Sequence, residues 1–135
     1  MENYKKIHFT LCGAENLTSI LPGWPNSFST ISRSELALYH AYCVVGGNFP
    51  VLLWQQMSQG LEKLGIPNDK ISIYLETVLK NFLQHRHQAL TGPLQRRDFE
   101  TIQKNLRALQ NEPSEKIYRA FVESQNLTNL DLEVL

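Results

Sequence analysis

Leu36-Ala37-Leu38-Tyr39-His40-Ala41-Tyr42-Cys43-Val44-Val45-Gly46-Gly47-Asn48 is the stretch that decides the fold. It is apolar on every side of a helix and holds one ionisable residue, His40. A helix that is hydrophobic all round must be buried on all faces, in a large core or across a subunit contact. A chain of 135 residues has little interior for such a helix. The segment therefore predicts that a second copy of the chain, or a second domain, covers part of it.

The sequence after this stretch continues in a helical pattern. Gly46 and Gly47 weaken the helix, and Asn48 with Pro50 is typical of a restart, because proline costs least in a first helical turn. Apolar residues then recur at spacings of three and four, which predicts one buried face. These residues are Phe49, Leu53, Met57, Leu61 and Leu64. We expect one long helix with a kink, or two helices nearly end to end.

The sequence before the stretch has the pattern of short strands. Apolar and polar residues alternate from Ile7 to Cys12, and Ser27–Ile31 is a second candidate strand. Ser32 or Ser34 is expected to cap the following helix. Because two strands alone are marginal in water, we interpret residues 1–32 as a leader at the edge of a larger sheet.

The rest of the chain is predicted to form three helices and a tail. Gly65 and Pro67 end the preceding helix, and Asp98 and Pro113 mark the starts of later ones. The expected inward residues are Ile71, Leu75, Val78 and Phe82 in one helix, Phe99, Ile102, Leu106 and Leu109 in the next, and Ile117, Phe121 and Val122 in the last. The predicted fold is mainly α, with a helical bundle over residues 33–125, a strand-containing leader and a tail over 126–135.

Composition excludes several classes of function. Thirteen basic and thirteen acidic residues give a net charge of zero, which argues against a nucleic-acid partner, and we expect no membrane span. No secretory signal precedes Cys12 and Cys43, so we predict buried free thiols in a cytoplasmic protein. His85 and His87 lie on nearly opposite sides of a helix, so no metal site is predicted. The chain also has no G-x-G-x-x-G motif.

Two groups of residues could carry chemistry. His40 is either a core residue satisfied by a carbonyl or a proton carrier, and a kink at the glycines could turn Asn48 toward the same cleft. Asn81 is either a solvated residue near a helix end or a hydrogen-bonding group in that cleft. Thr91 and Arg96 flank a Gly-Pro turn, which is either a plain connection between helices or a site for an anionic group.

The order of several short motifs resembles that of a known family. These are Leu38-Tyr39-His40-Ala41, Gly47-Asn48-Phe49, Leu64-Gly65, Asn81, Ala89-Leu90-Thr91-Gly92-Pro93 and Arg96-x-Asp98. From about Phe9 to Phe121, the chain is similar to the helical C-terminal domain of unknown function that follows a Rossmann-like domain in proteins assigned as NAD(P)-dependent oxidoreductases. That domain is similar to the C-terminal domains of 6-phosphogluconate dehydrogenase, pyrroline-5-carboxylate reductase and ketopantoate reductase.

The resemblance implies a fold, a partner and site residues. It implies a helical homodimer that closes an active-site cleft over NAD or NADP held by the preceding domain, so that this chain alone binds no cofactor. By the same resemblance, His40 and Asn48 are the expected catalytic residues. Asn81, Thr91 and Arg96 are the expected substrate-binding residues.

The chain departs from the family at three points. The family has Arg-Gly-Asp where this chain has Arg96-Arg97-Asp98, and a histidine where Asn105 stands. The dinucleotide-binding domain is missing, so we interpret the leader as its remnant edge. The chain is then either a truncated product of such an oxidoreductase or a stand-alone helical module that binds partners or a small ligand without catalysis.

Overall fold

The structure is a computed structural model that describes residues 3–13 and 17–127. It divides the chain into two compact units, Met1–Val51 and Leu52–Leu135, which we name the N-terminal and C-terminal units. The described strands are β1 (Phe9–Cys12) and β2 (Phe28–Ile31). The described α-helices are α1 (Leu17–Ile20), α2 (Leu36–Cys43), α3 (Phe49–Lys63), α4 (Asn68–His85), α5 (Gly92–Arg96), α6 (Phe99–Ala108) and α7 (Glu115–Ser124). The predicted class, mainly α with a strand-containing leader, is confirmed. The predicted domain boundaries stay a prediction, and residues 128–135 of the tail lie outside the described part of the chain.

The leader holds a two-stranded parallel sheet. β1 and β2 pair in register from Phe9 opposite Phe28 to Cys12 opposite Ile31. The rings of Phe9 and Trp24 meet edge to face, with centroids 6.0 Å apart. Parallel sheets are ordinarily covered on both faces. Here the four residues of β1 are only half-buried, and the interpretation of the leader as the edge of a larger sheet stays a prediction.

Asn26 holds the two ends of the leader together. Its side chain is buried, with 6% exposed. The Nδ2 amide donates to the carbonyl oxygen of Ile7 at 2.8 Å and also to the carbonyl oxygen of Tyr4. Within the described residues, its Oδ1 has no hydrogen-bond partner. The pattern of apolar residues in the sequence does not predict such a clamp.

α2 and α3 form one continuous helix, Leu36–Lys63, joined by a π-helical segment at Val44–Asn48. The expectation of one long helix is therefore confirmed, and the predicted kink is a π segment. The predicted serine cap is wrong. Glu35 is the N-cap residue, and its carboxylate accepts hydrogen bonds from the Ser32 amide at 2.8 Å and the Ser32 hydroxyl at 2.7 Å.

The C-terminal unit contains a small aliphatic core. Its buried members are Ile102 and Leu106 of α6, Val122 of α7, and Leu127, with Leu94 and Tyr118 packed against them. Ile71 of α4 is also buried. The inward positions of Ile71, Ile102, Leu106 and Val122 are therefore confirmed.

Other predicted core residues are exposed. Phe82 is 51% exposed, Phe99 42% and Phe121 49%. Phe121 precedes Val122, and neighbouring helical residues differ by about 100° around the axis, so inward Val122 turns Phe121 outward. Phe99 is the first residue of α6 and lies beyond the turn that carries Ile102 and Leu106. The apolar pattern therefore located each helix better than it located the buried side of the helix.

The expectation of two buried thiols is also wrong. Cys12 is half-buried on β1, and Cys43 is exposed at the end of α2. Both are free cysteines. Cys43 is exposed because no residue of α2 is buried within this chain.

Candidate functional site

The π segment places His40 and Asn48 on one side of the long helix. Its Phe49 N–H donates to the Val44 carbonyl, five residues back instead of four. One residue is thereby inserted into the α-helical register. Residues eight apart in an α-helix differ by about 80° around the axis, whereas with one inserted residue they differ by about 20°. By this geometry, His40 and Asn48 lie nearly in line along the helix. In a regular α-helix, the same spacing of eight residues would leave them on different sides.

His40 and Asn48 are both accessible from outside the helix. Both are exposed. A Cβ added at Gly46 or Gly47, between them, would meet no atom within 4 Å. Among the described residues, the His40 imidazole is neither buried nor hydrogen-bonded. His40 is therefore not a core residue whose imidazole is paired with a carbonyl of this chain. π segments of this kind are frequent at functional sites in proteins.

Asn81 lies in the C-terminal unit and supports the turn that follows α4. It is half-buried, and its Nδ2 amide donates to the carbonyl oxygen of Ala89 at 2.9 Å. Ala89 is two residues before Thr91. Asn81 therefore holds the start of the connection that contains Thr91. This hydrogen bond links two of the predicted site residues within the C-terminal unit.

The Gly-Pro turn leaves the Thr91 hydroxyl available. Thr91 is the N-cap residue of α5, but its side chain makes no capping hydrogen bond, and it is exposed. Gly92 has φ +85°, a conformation that favours glycine. Pro93 follows within the first turn of α5, where its missing N–H is tolerated. Backbone conformation therefore explains the glycine and the proline at this turn. The Thr91 hydroxyl does not cap the helix.

Arg96 and Asp98 form a weak pair at the far end of α5. Arg96 Nη2 lies 3.9 Å from Asp98 Oδ2, and the Arg96 side chain is 65% exposed. Asp98 caps α6 as predicted, because its carboxylate accepts from the Thr101 amide at 3.1 Å and from the Thr101 hydroxyl at 2.8 Å. These hydrogen bonds hold the pKa of the Asp98 carboxyl below its ordinary value, with smaller contributions from the Arg96 and Lys104 charges. Asp98 is thus a helix cap, and the Arg96 guanidinium remains largely solvated.

The structure accounts for two departures from the family pattern. Arg97, which stands where the family has glycine, has φ +53° and ψ +41° and so keeps the left-handed conformation that glycine favours. The amide of Asn105, which stands where the family has histidine, donates to the Tyr118 hydroxyl at 3.0 Å. Asn105 is therefore a link between α6 and α7.

The predicted site residues fall into two sets. His40 and Asn48 lie in the N-terminal unit, and Asn81, Thr91 and Arg96 lie in the C-terminal unit. In residues 3–13 and 17–127, no group of three or more His, Cys, Asp or Glu residues is arranged to hold a metal ion. The sequence analysis missed the π segment itself. Its signal was a Gly-Gly pair between a histidine and an asparagine eight residues apart.

The long helix also has the composition of a membrane span. Leu36–Lys63 is 28 residues long, its best window has a mean hydropathy of 1.4, and none of that window is buried. Its length and composition alone would allow it to cross a membrane. One helix of this kind is weak evidence for a membrane-spanning segment, since helices that are buried in a protein core have the same composition.

Comparison with known proteins gives the family. Residues 8–125 match the profile of a domain of unknown function, DUF2520. The chain belongs to the DUF2520 family. This DUF2520 chain is also similar to a solved structure, protein TM1727 from Thermotoga maritima, with 23% sequence identity and a TM-score of 0.74. The match covers 93% of this chain and 54% of that protein, so the chain spans about half of its length. No curated protein matches the chain.

Proposed function

We propose that the chain is the C-terminal dimerisation and substrate-side domain of an NAD(P)-dependent oxidoreductase, inactive without a Rossmann domain. The observation that carries this proposal is the hydrogen bond from the Phe49 N–H to the Val44 carbonyl, which by helix geometry brings His40 and Asn48 toward one side of the helix. A proton carrier and an amide in line on one exposed helix side are suited to a substrate held by another domain. The motif resemblance supplies the reaction class.

The residues of this chain do not fit a nicotinamide dinucleotide by themselves. The sequence has no glycine-rich phosphate-binding motif. A separate domain would hold the cofactor, which supplies or accepts the hydride when bound. We therefore assign to this chain only the steps that its own side chains can perform.

Those steps are proton exchange and orientation of the substrate. When a carbonyl is reduced, its oxygen must gain a proton, and when the alcohol is oxidised the oxygen must lose one. An imidazole nitrogen of His40 can exchange that proton as a general acid or base. The Asn48 amide can donate a hydrogen bond to the same oxygen. In the C-terminal unit, the Thr91 hydroxyl and the Arg96 guanidinium are suited by their chemistry to bind an anionic group, as the motif resemblance implies.

A reconstituted protein tests this proposal. The chain would be produced together with the reading frame immediately upstream of it, and thermal shift and turnover would be measured with NAD and NADP. We expect cofactor-dependent stabilisation and hydride transfer that His40→Ala lowers by about 10²- to 10⁴-fold. His87→Ala is the matched control, since His87 is an exposed histidine in the C-terminal unit outside the site.

Two results would count against the proposal. One is an upstream region without a dinucleotide-binding domain. The other is equal turnover of the His40→Ala and His87→Ala proteins. The first result would favour the alternative function, a stand-alone helical module that binds partners or a small ligand. The exposed apolar side chains Tyr74, Val78 and Phe82, which are spaced four residues apart on one side of α4, favour that alternative, because large apolar patches mark contact surfaces.

A further inference from the structure

A histidine of the leader lies between two serine hydroxyls. His8 Nδ1 lies 2.8 Å from Ser27 Oγ, and His8 Nε2 lies 2.9 Å from Ser29 Oγ. All three residues are exposed, so that a molecule in solution can reach them. A hydroxyl within hydrogen-bonding distance of a base, with the base held by a third group, is the arrangement that activates a nucleophile. The three side chains have this arrangement.

The pairing of β1 and β2 places a third hydroxyl beside these side chains. In the parallel register, Thr10 lies opposite Ser29. Residues opposite each other project to the same face of a sheet, and alternate residues of one strand share a face. His8, Thr10, Ser27 and Ser29 therefore lie on one face of the leader sheet. We name these four residues the hydroxyl cluster.

We infer that Ser29 is a nucleophile, activated by His8, that accepts an acyl group from an activated ester. Ser27 holds the imidazole of His8 in place. The Thr10 hydroxyl donates a hydrogen bond to the oxyanion that forms during the reaction. This activity uses none of the residues assigned to the oxidoreductase function and does not depend on that function.

The two hydrogen bonds of His8 give the two serines different roles. A neutral imidazole has one N–H donor and one acceptor nitrogen. We assign the proton to Nδ1, which donates to Ser27 Oγ, so that Nε2 accepts from the Ser29 hydroxyl. The register supports this assignment, because Thr10 lies opposite Ser29 and a hydroxyl donor is therefore close to an oxyanion formed there.

The ester is the co-reactant of the acyl transfer. Ser29 Oγ attacks the carbonyl carbon of the ester, and His8 Nε2 takes the proton of the hydroxyl. The carbonyl oxygen becomes an oxyanion, to which the Thr10 hydroxyl donates. The bond from this carbon to the leaving oxygen then breaks, and His8 returns the proton to that oxygen. The acyl group remains on Ser29 as an ester.

Asn26 fixes the backbone beside the hydroxyl cluster. It is 6% exposed and directly precedes Ser27. Its Nδ2 amide donates to the carbonyl oxygen of Ile7, the residue before His8, at 2.8 Å. The Phe9 N–H, on the other side of His8, donates to the Ser27 carbonyl oxygen at 3.0 Å. The backbone therefore holds the imidazole next to the serines, as a preorganised site requires.

Reaction of the full chain with p-nitrophenyl acetate tests the proposal. We expect release of nitrophenolate and an acetyl group on Ser29, located by mass spectrometry of peptides. His8→Gln keeps a hydrogen-bonding side chain but removes the base, and should lower the rate of acetylation by about 100-fold or more. Thr10→Val removes the oxyanion donor and should lower the rate by about 100-fold.

Thr30→Ala is the matched control for Ser29→Ala. Thr30 is an exposed residue with a hydroxyl, and it follows Ser29 on β2, so that it projects to the opposite face of the sheet. Ser29→Ala should abolish the acetylation, and Thr30→Ala should leave its rate unchanged. Ser27→Ala should lower the rate by less than His8→Gln, since it keeps the base and the nucleophile. Circular dichroism of each variant checks its fold.

Three results would overturn the proposal. One is a rate of acetylation that is the same for the wild type and His8→Gln. Another is an acetyl group on Ser27 or on lysine side chains with none on Ser29. The third is an equal loss of rate in Ser29→Ala and Thr30→Ala. Because the reaction contains no nicotinamide cofactor, its outcome is separate from the turnover test of the proposed function.

Discussion

The core of the C-terminal unit and the segment from Leu36 to Asn48 of the long helix consist of similar apolar residues, which are buried in the core and not buried in the segment. Leu106 is 2% exposed in the first, and Leu38 is 57% exposed in the second. In the core, α6 and α7 present aliphatic side chains to each other. The segment from Leu36 to Asn48 has as strong an apolar character but no buried residue. The difference teaches that apolar sequence predicts burial only where the same chain provides the covering surface.

The largest expected effect on the free energy of unfolding comes from a substitution that creates a cavity in the core. Leu106→Ala should lower the free energy of unfolding of the C-terminal unit by about 2–5 kcal/mol, because the surrounding side chains cannot fill the space. Leu64→Ala is the control, since Leu64 is 76% exposed, and it should change stability by less than about 0.5 kcal/mol. Urea unfolding followed by circular dichroism measures both.

The same measurement on Leu38→Ala would show whether the comparison holds in solution. In dilute solution, where the chain is a monomer, its cost should resemble that of Leu64→Ala. An increase with protein concentration would sharpen the comparison, because it would show that a second copy covers Leu38. A large cost at all concentrations would contradict the exposed position of Leu38.

A smaller effect is expected from the buried amide of the leader. Asn26→Ala removes the donor that the carbonyl oxygens of Tyr4 and Ile7 share, and should cost the N-terminal unit about 1–3 kcal/mol. Asn48→Ala is an exposed control in the same unit. Quenching of Trp24 fluorescence during denaturation would follow the leader, since Trp24 packs against Phe9. Equal midpoints for the two variants would refute the clamp.

Asn81 should have a smaller effect still. Asn81→Ala leaves the Ala89 carbonyl without its partner at a half-buried position, which should cost about 1 kcal/mol. Amide hydrogen exchange should be faster from Leu90 to Leu94 than in the wild type. Asn68→Ala, at an exposed position at the start of α4, is the control. Unchanged exchange in this connection would show that Asn81 does not hold it.

The smallest expected effect is on the pH dependence of stability, and it concerns one carboxyl group in each unit. Hydrogen bonds from Ser32 lower the pKa of Glu35, and hydrogen bonds from Thr101 lower the pKa of Asp98. A carboxyl with a lowered pKa in the folded state stabilises the fold above its ordinary value, 4.5 for Glu35 and 3.8 for Asp98. That stabilisation is lost as the pH falls through the lowered pKa.

Asp98→Asn should therefore reduce the acid dependence of stability of the C-terminal unit between about pH 5 and pH 2. Unfolding midpoints across this range would measure it. Asp69→Asn serves as the control, because the Asp69 side chain is 66% exposed and pairs with its neighbour Lys70. An identical pH profile for the wild type and Asp98→Asn would contradict the cap.

Much of the candidate site followed from the sequence, but its geometry did not. The Tyr-His-Ala and Leu-Thr-Gly-Pro motifs led to His40 and Thr91. On a regular helix, the spacing of eight residues would place His40 and Asn48 about 80° apart around the axis. Only the hydrogen bond from the Phe49 amide to the Val44 carbonyl, five residues back, brought them into line. The apolar pattern of the sequence does not specify this backbone hydrogen bond.

The sequence by itself determined the class of the fold, the positions of most helices, the Asp98 cap and the membership of a helical family. These are local properties, because periodicity, breakers and capping residues act within a few positions along the chain. The tertiary structure alone decided the parallel pairing of β1 and β2, the inward turn of Val122 and the exposure of Cys43. These depend on which surfaces meet, and contacts between residues distant in sequence leave no local signal in the sequence.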